Sequence, residues 1–305
     1  MNQQVKNSSN VTTLRVASLA FLLTVSCSAV VLPAAAANAE SAVAADSLAK
    51  AVFERSANDA RSGTMHFALR NRKGHKRSRT AVIFHADATE QTNVAIFFTA
   101  PSAIEETAFL SLDRSASSND ENWLYLPATQ RVRRLPTSER GDYFMGTDLT
   151  YGDIKDNFKF APEDWRFTEC TATQLALDSA PVSEAIERAG GMQCLAGEAA
   201  SASIAEEMGY LRFVATIDPI TLFPRQVRYF DLHGEPLKDV VIEQQEKIGD
   251  AWTAMAFSLN NLKTGHSTRI HLTDMQARDS LPAEVFESGE LEFGYPELPN
   301  SEPPR

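Results

Sequence analysis

Residues 122–135 of the chain read NWLYLPATQRVRRL, and residues 141–151 read GDYFMGTDLTY. The first stretch holds an aromatic and aliphatic run, 122–126, and a basic run, 131–135, on either side of a proline-containing turn. It predicts two neighbouring strands, 122–126 and 131–135. In the second stretch, three large apolar side chains lie between glycines, whose backbone freedom suits a tight loop.

Alternation of apolar and polar residues extends this pattern along most of the chain. It predicts further strands at 65–69, 80–85, 94–99, 108–112, 211–217, 226–231, 240–245, 251–259 and 267–274. Helical spacing is limited to an opening helix at 46–60 and a short helix at 149–158. Since no helix-length segment separates most neighbouring strands, a two-layer α/β fold is excluded. We expect a mainly β (α+β) chain of roughly ten or eleven strands. These would form a single strongly curved antiparallel sheet with a few helices packed in its concave side.

The amino terminus has the pattern of a secretory signal. Lys6 and Arg15 precede the apolar run 16–32, and an A-x-A cleavage site at 37–39 follows. This predicts a signal peptide at 1–39 and one exported domain at 40–305, with an Ala/Ser/Glu-rich insertion near 172–191 and a loose tail after 293. Cys27 offers an alternative, lipid attachment, but Thr24 stands where a large aliphatic residue is preferred. We therefore favour soluble export to the periplasm.

Charge and cysteine content narrow the function further. The net charge of −11 disfavours nucleic acid as a partner and limits contact with anionic lipid to local patches. Cys170 and Cys194 remain after export to a compartment that permits disulfides, so they form either a disulfide or two buried free thiols. No zinc-protease, nucleophile-elbow or phosphate-loop motif is present, so we expect no catalytic residues, no metal site and no cofactor.

The order of the motifs resembles the outer-membrane lipoprotein-sorting (LolA/LolB-like) family, part of a superfamily with RseB-like half-barrels. The resemblance covers 46–291. It rests on the two opening stretches and on FMGTD at 144–148, YGD at 151–153, TAFL at 107–110, RYFD at 228–231 and KTGHST at 263–268. Gly152 departs from the family, which has an acidic residue there.

The resemblance implies that the curved sheet is an unclosed β-barrel. It also implies a periplasmic carrier or chaperone that binds acyl chains of lipoprotein, or another lipid, for transfer toward the outer membrane. It implies transient membrane contact and an inner-membrane exporter of the RND (MMPL-like) type as partner. An RseB-like sensor of lipid or mislocalised lipoprotein is the alternative, and an exported hydrolase is a third class.

Three sets of residues are the candidate sites, each with a structural alternative. Trp123 and Tyr125 share one strand face, which either lines the ligand cavity or is ordinary core. The loop residues Tyr143, Phe144 and Met145 either cover a ligand as a lid or plug the core. The third set is three arginines that we expect to form the only concentrated positive patch of the chain. They bind an anionic headgroup or partner, or pair with Glu139 or Asp142 on a solvated face; they are Arg131, Arg133 and Arg134.

Overall fold

The computed structural model describes residues 34–55, 59–88, 91–114, 120–156, 158–170, 191–296 and 298. The predicted insertion at 172–191 lies almost wholly outside these residues, as does most of the predicted signal peptide. The helices are α1 (Ala34–Phe53), α2 (Tyr151–Asp156) and α3 (Ala202–Met208), and short 3-10 turns lie at Thr137–Glu139, Phe144–Gly146, Ala283–Phe286 and Ser288–Phe293.

The strands are β1 (Asp59–Arg70), β2 (Lys76–Ala88), β3 (Gln91–Ala100), β4 (Ala108–Arg114), β5 (Glu121–Leu126), β6 (Arg131–Leu135), β7 (Trp165–Glu169), β8 (Gln193–Ala199), β9 (Arg212–Ile217), β10 (Pro224–Phe230), β11 (Pro236–Ile248), β12 (Ala251–Asn261) and β13 (Ser267–Arg278).

All 13 strands form one antiparallel sheet in the order β6-β5-β4-β3-β2-β1-β13-β12-β11-β10-β9-β8-β7. Two meanders, β1 to β6 and β7 to β13, are joined where β1 pairs with β13, with Phe67 opposite Ile270. The expected single antiparallel sheet is confirmed, and the estimate of ten or eleven strands was too low.

The sheet must be curved, since side chains from both of its edge strands belong to one buried cluster. Leu135 of the edge strand β6 and Trp165 of the other edge strand β7 belong to the same buried cluster as Met65 in the central β1. In a flat sheet, twelve spacings of about 4.8 Å would place these edges roughly 58 Å apart. The sheet therefore curls around its inner face but does not close, as predicted for an unclosed barrel.

Helix α1 differs from its predicted bounds. It ends at Phe53 rather than at residue 60, and β1 already includes Asp59 and Ala60. It also begins at Ala34, inside the stretch predicted as signal peptide, because the alanine-rich segment 34–39 has high helix propensity. Its buried residues Ala45, Ala49 and Val52 join the inner core, and the helix contacts β7 and β8. Helix α2 lies within the predicted 149–158 segment.

A second, smaller core lies on the outer face of β2 to β5. Phe84, Phe97 and Leu110 pack there against Val285 and Leu291 of the 3-10 turns that follow β13. The ring of Tyr295 continues this contact, with centroids 5.9 Å from Phe84 and 5.5 Å from Phe97. The chain after β13 thus covers the outer face of the first meander.

Candidate functional site

The glycine-flanked loop enters the inner core. We call residues 143–153 the plug. The Phe144 side chain is fully buried, and its ring lies 5.3 Å from Phe109, 5.6 Å from Tyr151 and 5.9 Å from Phe98. Such aromatic pairs add attraction beyond the apolar area that they bury. In this structure the loop therefore fills the concave side.

Backbone geometry explains the loop sequence. Met145 and Gly146 both have positive φ, 49° and 71°, a region that glycine adopts freely. The Arg79 guanidinium of β2 donates to the Met145 carbonyl oxygen and so holds this turn against the sheet. Met145 itself is only partly buried and packs at the margin of the core.

Asp148 joins the plug to β13. Its carboxylate accepts from the Thr268 hydroxyl at 2.7 Å and lies 2.7 Å from His266 Nδ1. Its backbone N–H donates to the same Thr268 hydroxyl at 3.0 Å. Thr268 of β13 and His266 of the preceding turn thus both bind the Asp148 carboxylate, which explains why an aspartate stands at this position.

Asp153 joins the plug to β11. The fully buried Lys238 ammonium lies 2.5 Å from Asp153 Oδ2 and donates to the Asp148 carbonyl oxygen at 2.9 Å. The Tyr210 hydroxyl donates to the same carboxylate at 3.1 Å, and the Thr150 N–H at 2.7 Å. Burial, and then the negative charge of Asp153, raise the pKa of Tyr210 well above its ordinary value, so its hydroxyl stays a proton donor.

Gly152, the departure from the family pattern, has a steric reason here. A Cβ at this position would lie 3.1 Å from Arg140 Cγ and 3.2 Å from its Nε. The Arg140 guanidinium is buried and paired with Asp164, so it has little room to move. A side chain at 152 would disturb this pair.

An apolar cavity of about 80 Å³ lies beside the plug on the inner face. Its walls come from β1 to β3, β12, β13 and the segment 149–158; they are Arg61, Met65, Ile83, His85, Val94, Ile96, Leu149, Asp153, Ile154, Phe158, Thr253, Ala254, Phe257, Leu272 and Met275. Small-molecule sites commonly measure about 300–1,000 Å³, so this cavity is smaller than a usual ligand site. At about 30 Å³ per water molecule, it has room for two or three groups of that size.

The cavity has one polar side that the sequence analysis missed. Arg61 is buried there, donates to the Thr253 hydroxyl and lies 3.1 Å from His85 Nδ1 through Nη2. The signal was present in the sequence: Arg61 and His85 interrupt apolar alternation on strands that otherwise face the core. The nearby Arg55 is also buried, and desolvation lowers its pKa to about 9.

The structure does not bring the predicted cavity residues together. Trp123 and Tyr125 belong to the outer-face cluster, on the side of β5 opposite Leu124, which faces the inner core. Tyr143 is 42% exposed, and its hydroxyl accepts from Asn261 Nδ2 at 2.8 Å. Of the predicted five, Phe144 and Met145 lie on the inner face, next to Leu149, which lines the cavity.

Two of the three predicted arginines are engaged within the protein. Arg133 donates twice to Glu139, at 3.0 and 3.3 Å, and this bond raises the pKa of Arg133 above its ordinary value. Arg134 lies 3.5 Å from Glu121 and sits over the Trp123 ring at 6.0 Å. Arg131 is exposed.

The statement that these arginines form the only positive patch was wrong. The β1–β2 hairpin carries six cations between residues 70 and 79 and no acidic residue. The alternation of residues in this segment predicts strands and carries no information on charge. A count of charges along the sequence is enough to find it.

Cys170 and Cys194 form a disulfide with a Cα–Cα distance of 5.2 Å. It joins the residue after β7 to the second residue of β8, and both cysteines pack near Val214 and Phe230. The bond fixes the start of the second meander.

In the part of the chain that the structure describes, no helix is both long and apolar enough to cross a membrane. Among the same residues, no group of three or more His, Cys, Asp or Glu side chains is placed to hold a metal ion.

Known structures place this architecture in a class. A domain from Vibrio parahaemolyticus described as an outer-membrane lipoprotein-sorting protein aligns with a TM-score of 0.68 at 23% identity, covering 84% of this chain and all of that one. A DUF1329 family protein from Desulfovibrio piger aligns with a TM-score of 0.69 at 21% identity, covering 82% and 99%. A LolA superfamily protein from Nitrosomonas europaea aligns with a TM-score of 0.56 at 16% identity, covering 80% and 97%. The fold is that of the lipoprotein-sorting, LolA-like half-barrels.

A family model, described as "-like: Uncharacterized protein", matches residues 90–292, and the chain belongs to that family. No curated protein matches the sequence. The Pseudomonas aeruginosa MucA/MucB complex aligns with a TM-score of only 0.28, which carries no argument for a sensor.

Proposed function

We propose that this protein is a periplasmic carrier that binds acyl chains, of lipoprotein or of another lipid, in the inner-face cavity beside the plug. The observation that carries the proposal is the position of this cavity. It is lined mainly by apolar side chains and lies between the curved sheet and the plug, which is held by the buried Phe144 ring and by the polar contacts of Asp148 and Asp153. The lipoprotein-sorting description of the Vibrio domain is consistent with it.

The size of the cavity determines whether an acyl chain fits without a movement of the protein. A chain of about 14 carbons offers roughly 11 kcal/mol of gross transfer free energy, at about 0.8 kcal/mol per buried methylene. At about 30 Å³ per methylene-sized group, it also needs roughly 400 Å³, against the 80 Å³ present. Binding therefore requires Leu149, Ile154 and Phe158 to move away from the sheet. The energy spent on this movement lowers the net affinity, which favours later release.

Cavity volume provides the test. Ala254→Leu adds three carbons inside the cavity, whereas Leu272→Ala removes three from its wall, and both residues are buried on the inner face. We expect the first variant to weaken binding of a fluorescent fatty acid by at least about tenfold and the second to strengthen it or leave it unchanged. Binding is measured by fluorescence titration of the purified protein, and bound lipid is identified by native mass spectrometry.

Leu112→Ala is the matched control, because Leu112 packs against the outer-face cluster and does not line the cavity. It should bind the fatty acid as the wild type does. If Ala254→Leu binds the fatty acid as tightly as the wild type does, with an unchanged folded-state spectrum, the ligand does not bind in this cavity. The RND-type exporter remains a prediction, to be tested by crosslinking in cells.

A further inference from the structure

The tip of the β1–β2 hairpin is the most basic part of the described chain. Arg70, Arg72, Lys73, Lys76 and Arg77 are exposed there, in a protein with a net charge of −11. Within the described residues, none of these five is paired with a carboxylate. Their charge is therefore directed to solvent.

Two other turns lie at the same end of the sheet. Arg70 is opposite Ser267 across the β1–β13 pair, and the Arg72 side chain passes over Gly265 in the β12–β13 turn. That turn is joined to the β10–β11 turn, since Lys263 Nζ lies 2.7 Å from Asp231 Oδ2. The three turns, at 71–75, 262–266 and 231–235, form one surface, which we call the tip surface.

The tip surface also presents apolar side chains to water. Leu262 and Leu232 are 46% and 44% exposed, one on each of the turns next to the basic hairpin. Most large apolar residues of the described chain are buried instead. Exposed leucines next to a cationic hairpin are typical of surfaces that bind at the headgroup level of a bilayer.

A groove of about 450 Å³ adjoins the hairpin, at the ends of β1, β2, β12 and β13. Four cations line it, Arg70, Lys76, Arg77 and Arg269, together with hydroxyl and amide side chains. Arg269 is partly neutralised by Glu243 at 2.6 Å. The groove has the size and charge to accept a phosphate headgroup, which guanidinium groups bind with two parallel hydrogen bonds.

We propose that the tip surface docks this protein on membranes containing anionic phospholipid. The hairpin carries four arginines, two lysines and no acidic residue between residues 70 and 79, a charge that suits an anionic lipid surface. The tip surface lies next to the plug: Arg79 of the hairpin donates to the Met145 carbonyl, and His266 contacts Asp148. Docking therefore brings the plug close to the bilayer. The proposal goes beyond the carrier role and stands without it, because membrane binding needs no acyl ligand in the cavity.

Vesicle flotation tests the proposal with the purified protein. We expect binding to vesicles of phosphatidylglycerol mixed with phosphatidylcholine, and none to pure phosphatidylcholine. Raising the salt from about 0.1 M to about 1 M shortens the Debye length from about 10 Å to about 3 Å and should release the protein. The triple variant Arg72→Gln, Lys73→Gln, Lys76→Gln should bind at least about tenfold more weakly. Leu262→Ser should also weaken binding at about 0.1 M salt, because it removes an exposed apolar side chain from the tip surface.

The triple variant Lys50→Gln, Arg166→Gln, Lys247→Gln is the control, because it removes the same charge from exposed positions outside the tip surface. It should bind as the wild type does, and all variants should keep the wild-type circular dichroism spectrum and fatty-acid affinity. Wild-type protein that ignores anionic vesicles, or a tip variant that binds them normally, overturns the proposal. The proposal is also overturned if the wild-type protein does not bind the vesicles but binds an acidic protein through the tip surface.

Discussion

Asp153 and Lys238 form a buried ion pair, and because both charges are removed from water it is the contact of the plug that costs most free energy to break. Besides this pairing, Asp153 accepts hydrogen bonds from Tyr210 and Thr150, and Lys238 donates to the Asp148 carbonyl oxygen. Breaking a buried pair by removing one partner leaves an uncompensated charge, which costs about 3–5 kcal/mol. We expect Asp153→Asn to lower the free energy of unfolding by this amount in urea denaturation.

The exposed pair of Lys50 and Glu54 is the control for Asp153→Asn. Its side chains are 70% and 61% exposed, so Lys50→Gln should cost less than about 1 kcal/mol. An Asp153→Asn loss no larger than that of Lys50→Gln would mean that the plug is not anchored by this pair.

Gly141 follows the edge strand β6 and lies against Met208 and Gly209, in the connection between β8 and β9. A Cβ at this position would lie 2.9 Å from the backbone N of Gly209 and 2.9 Å from the backbone C of Met208, closer than such atoms pack. Gly141→Ala must therefore displace the backbone. We expect it to destabilise the protein by about 1–3 kcal/mol, measured as a lower urea midpoint.

Gly289→Ala is the matched control for Gly141→Ala. Nothing lies within 4 Å of the added methyl group, and Gly289 is not among the glycines with positive φ. Alanine there should be neutral or stabilising by up to about 1 kcal/mol, because it restricts the unfolded chain. Equal effects of the two substitutions would remove the steric explanation.

The sequence identified the plug but not its partners. The FMGTD and YGD motifs mark 144–148 and 151–153, where Asp148 and Asp153 make their contacts. Lys238 and Thr268, however, are about 90 and 120 residues away along the chain. Only the pairing of β11, β12 and β13 brings them to the plug, and register of that kind is not readable from one sequence.

The disulfide stabilises the edge hairpin β7–β8 across a sequence separation of 24 residues. By the chain-entropy model, a crosslink of this length contributes about 3 kcal/mol. We expect the double variant Cys170→Ala, Cys194→Ala to lose this stability in urea denaturation. Reducing agent should lower the wild-type midpoint similarly and leave the double variant unchanged; a wild-type midpoint that ignores the reductant contradicts this.

Strands were easier to predict than short helices. The long strands β1, β2 and β11 to β13 combine alternation with clear turns, and they were found. Helix α3 was missed, because seven residues give little periodicity. Its ends carried the signal instead: Ser201 accepts from the Ile204 N–H as an N-cap, and Gly209 ends the helix with φ of 77°.

The positions of the strands were predicted better than which face of each strand points to the inner core. Alternation placed Trp123 and Tyr125 together, and they do share a face, but both faces of β5 are apolar. The deciding element is the pair of 3-10 turns at Ala283–Phe286 and Ser288–Phe293, which covers the outer face. These turns follow the last strand and have no helical periodicity, so the sequence did not indicate that a second core exists there.

The two edges of the sheet, β6 and β7, are the part of the whole molecule that ligand binding should move. They share one core but are not hydrogen-bonded to each other, and the contact between them runs through α3 and the 3-10 turn at Thr137–Glu139. A cavity of 80 Å³ must grow severalfold to hold an acyl chain. Opening at the unpaired edges breaks no strand pairing, whereas opening anywhere else in the sheet does.

We therefore expect the edges to separate when a fatty acid binds. Spin labels at Arg131→Cys in β6 and Arg166→Cys in β7, both exposed, report the distance between the edges by double electron–electron resonance. Labels at Arg166→Cys and Lys247→Cys, both in the second meander, are the control and should keep their distance. If bound ligand leaves both distance distributions unchanged, the extra volume arises from side chains of the segment 149–158 alone, and the half-barrel behaves as a rigid shell.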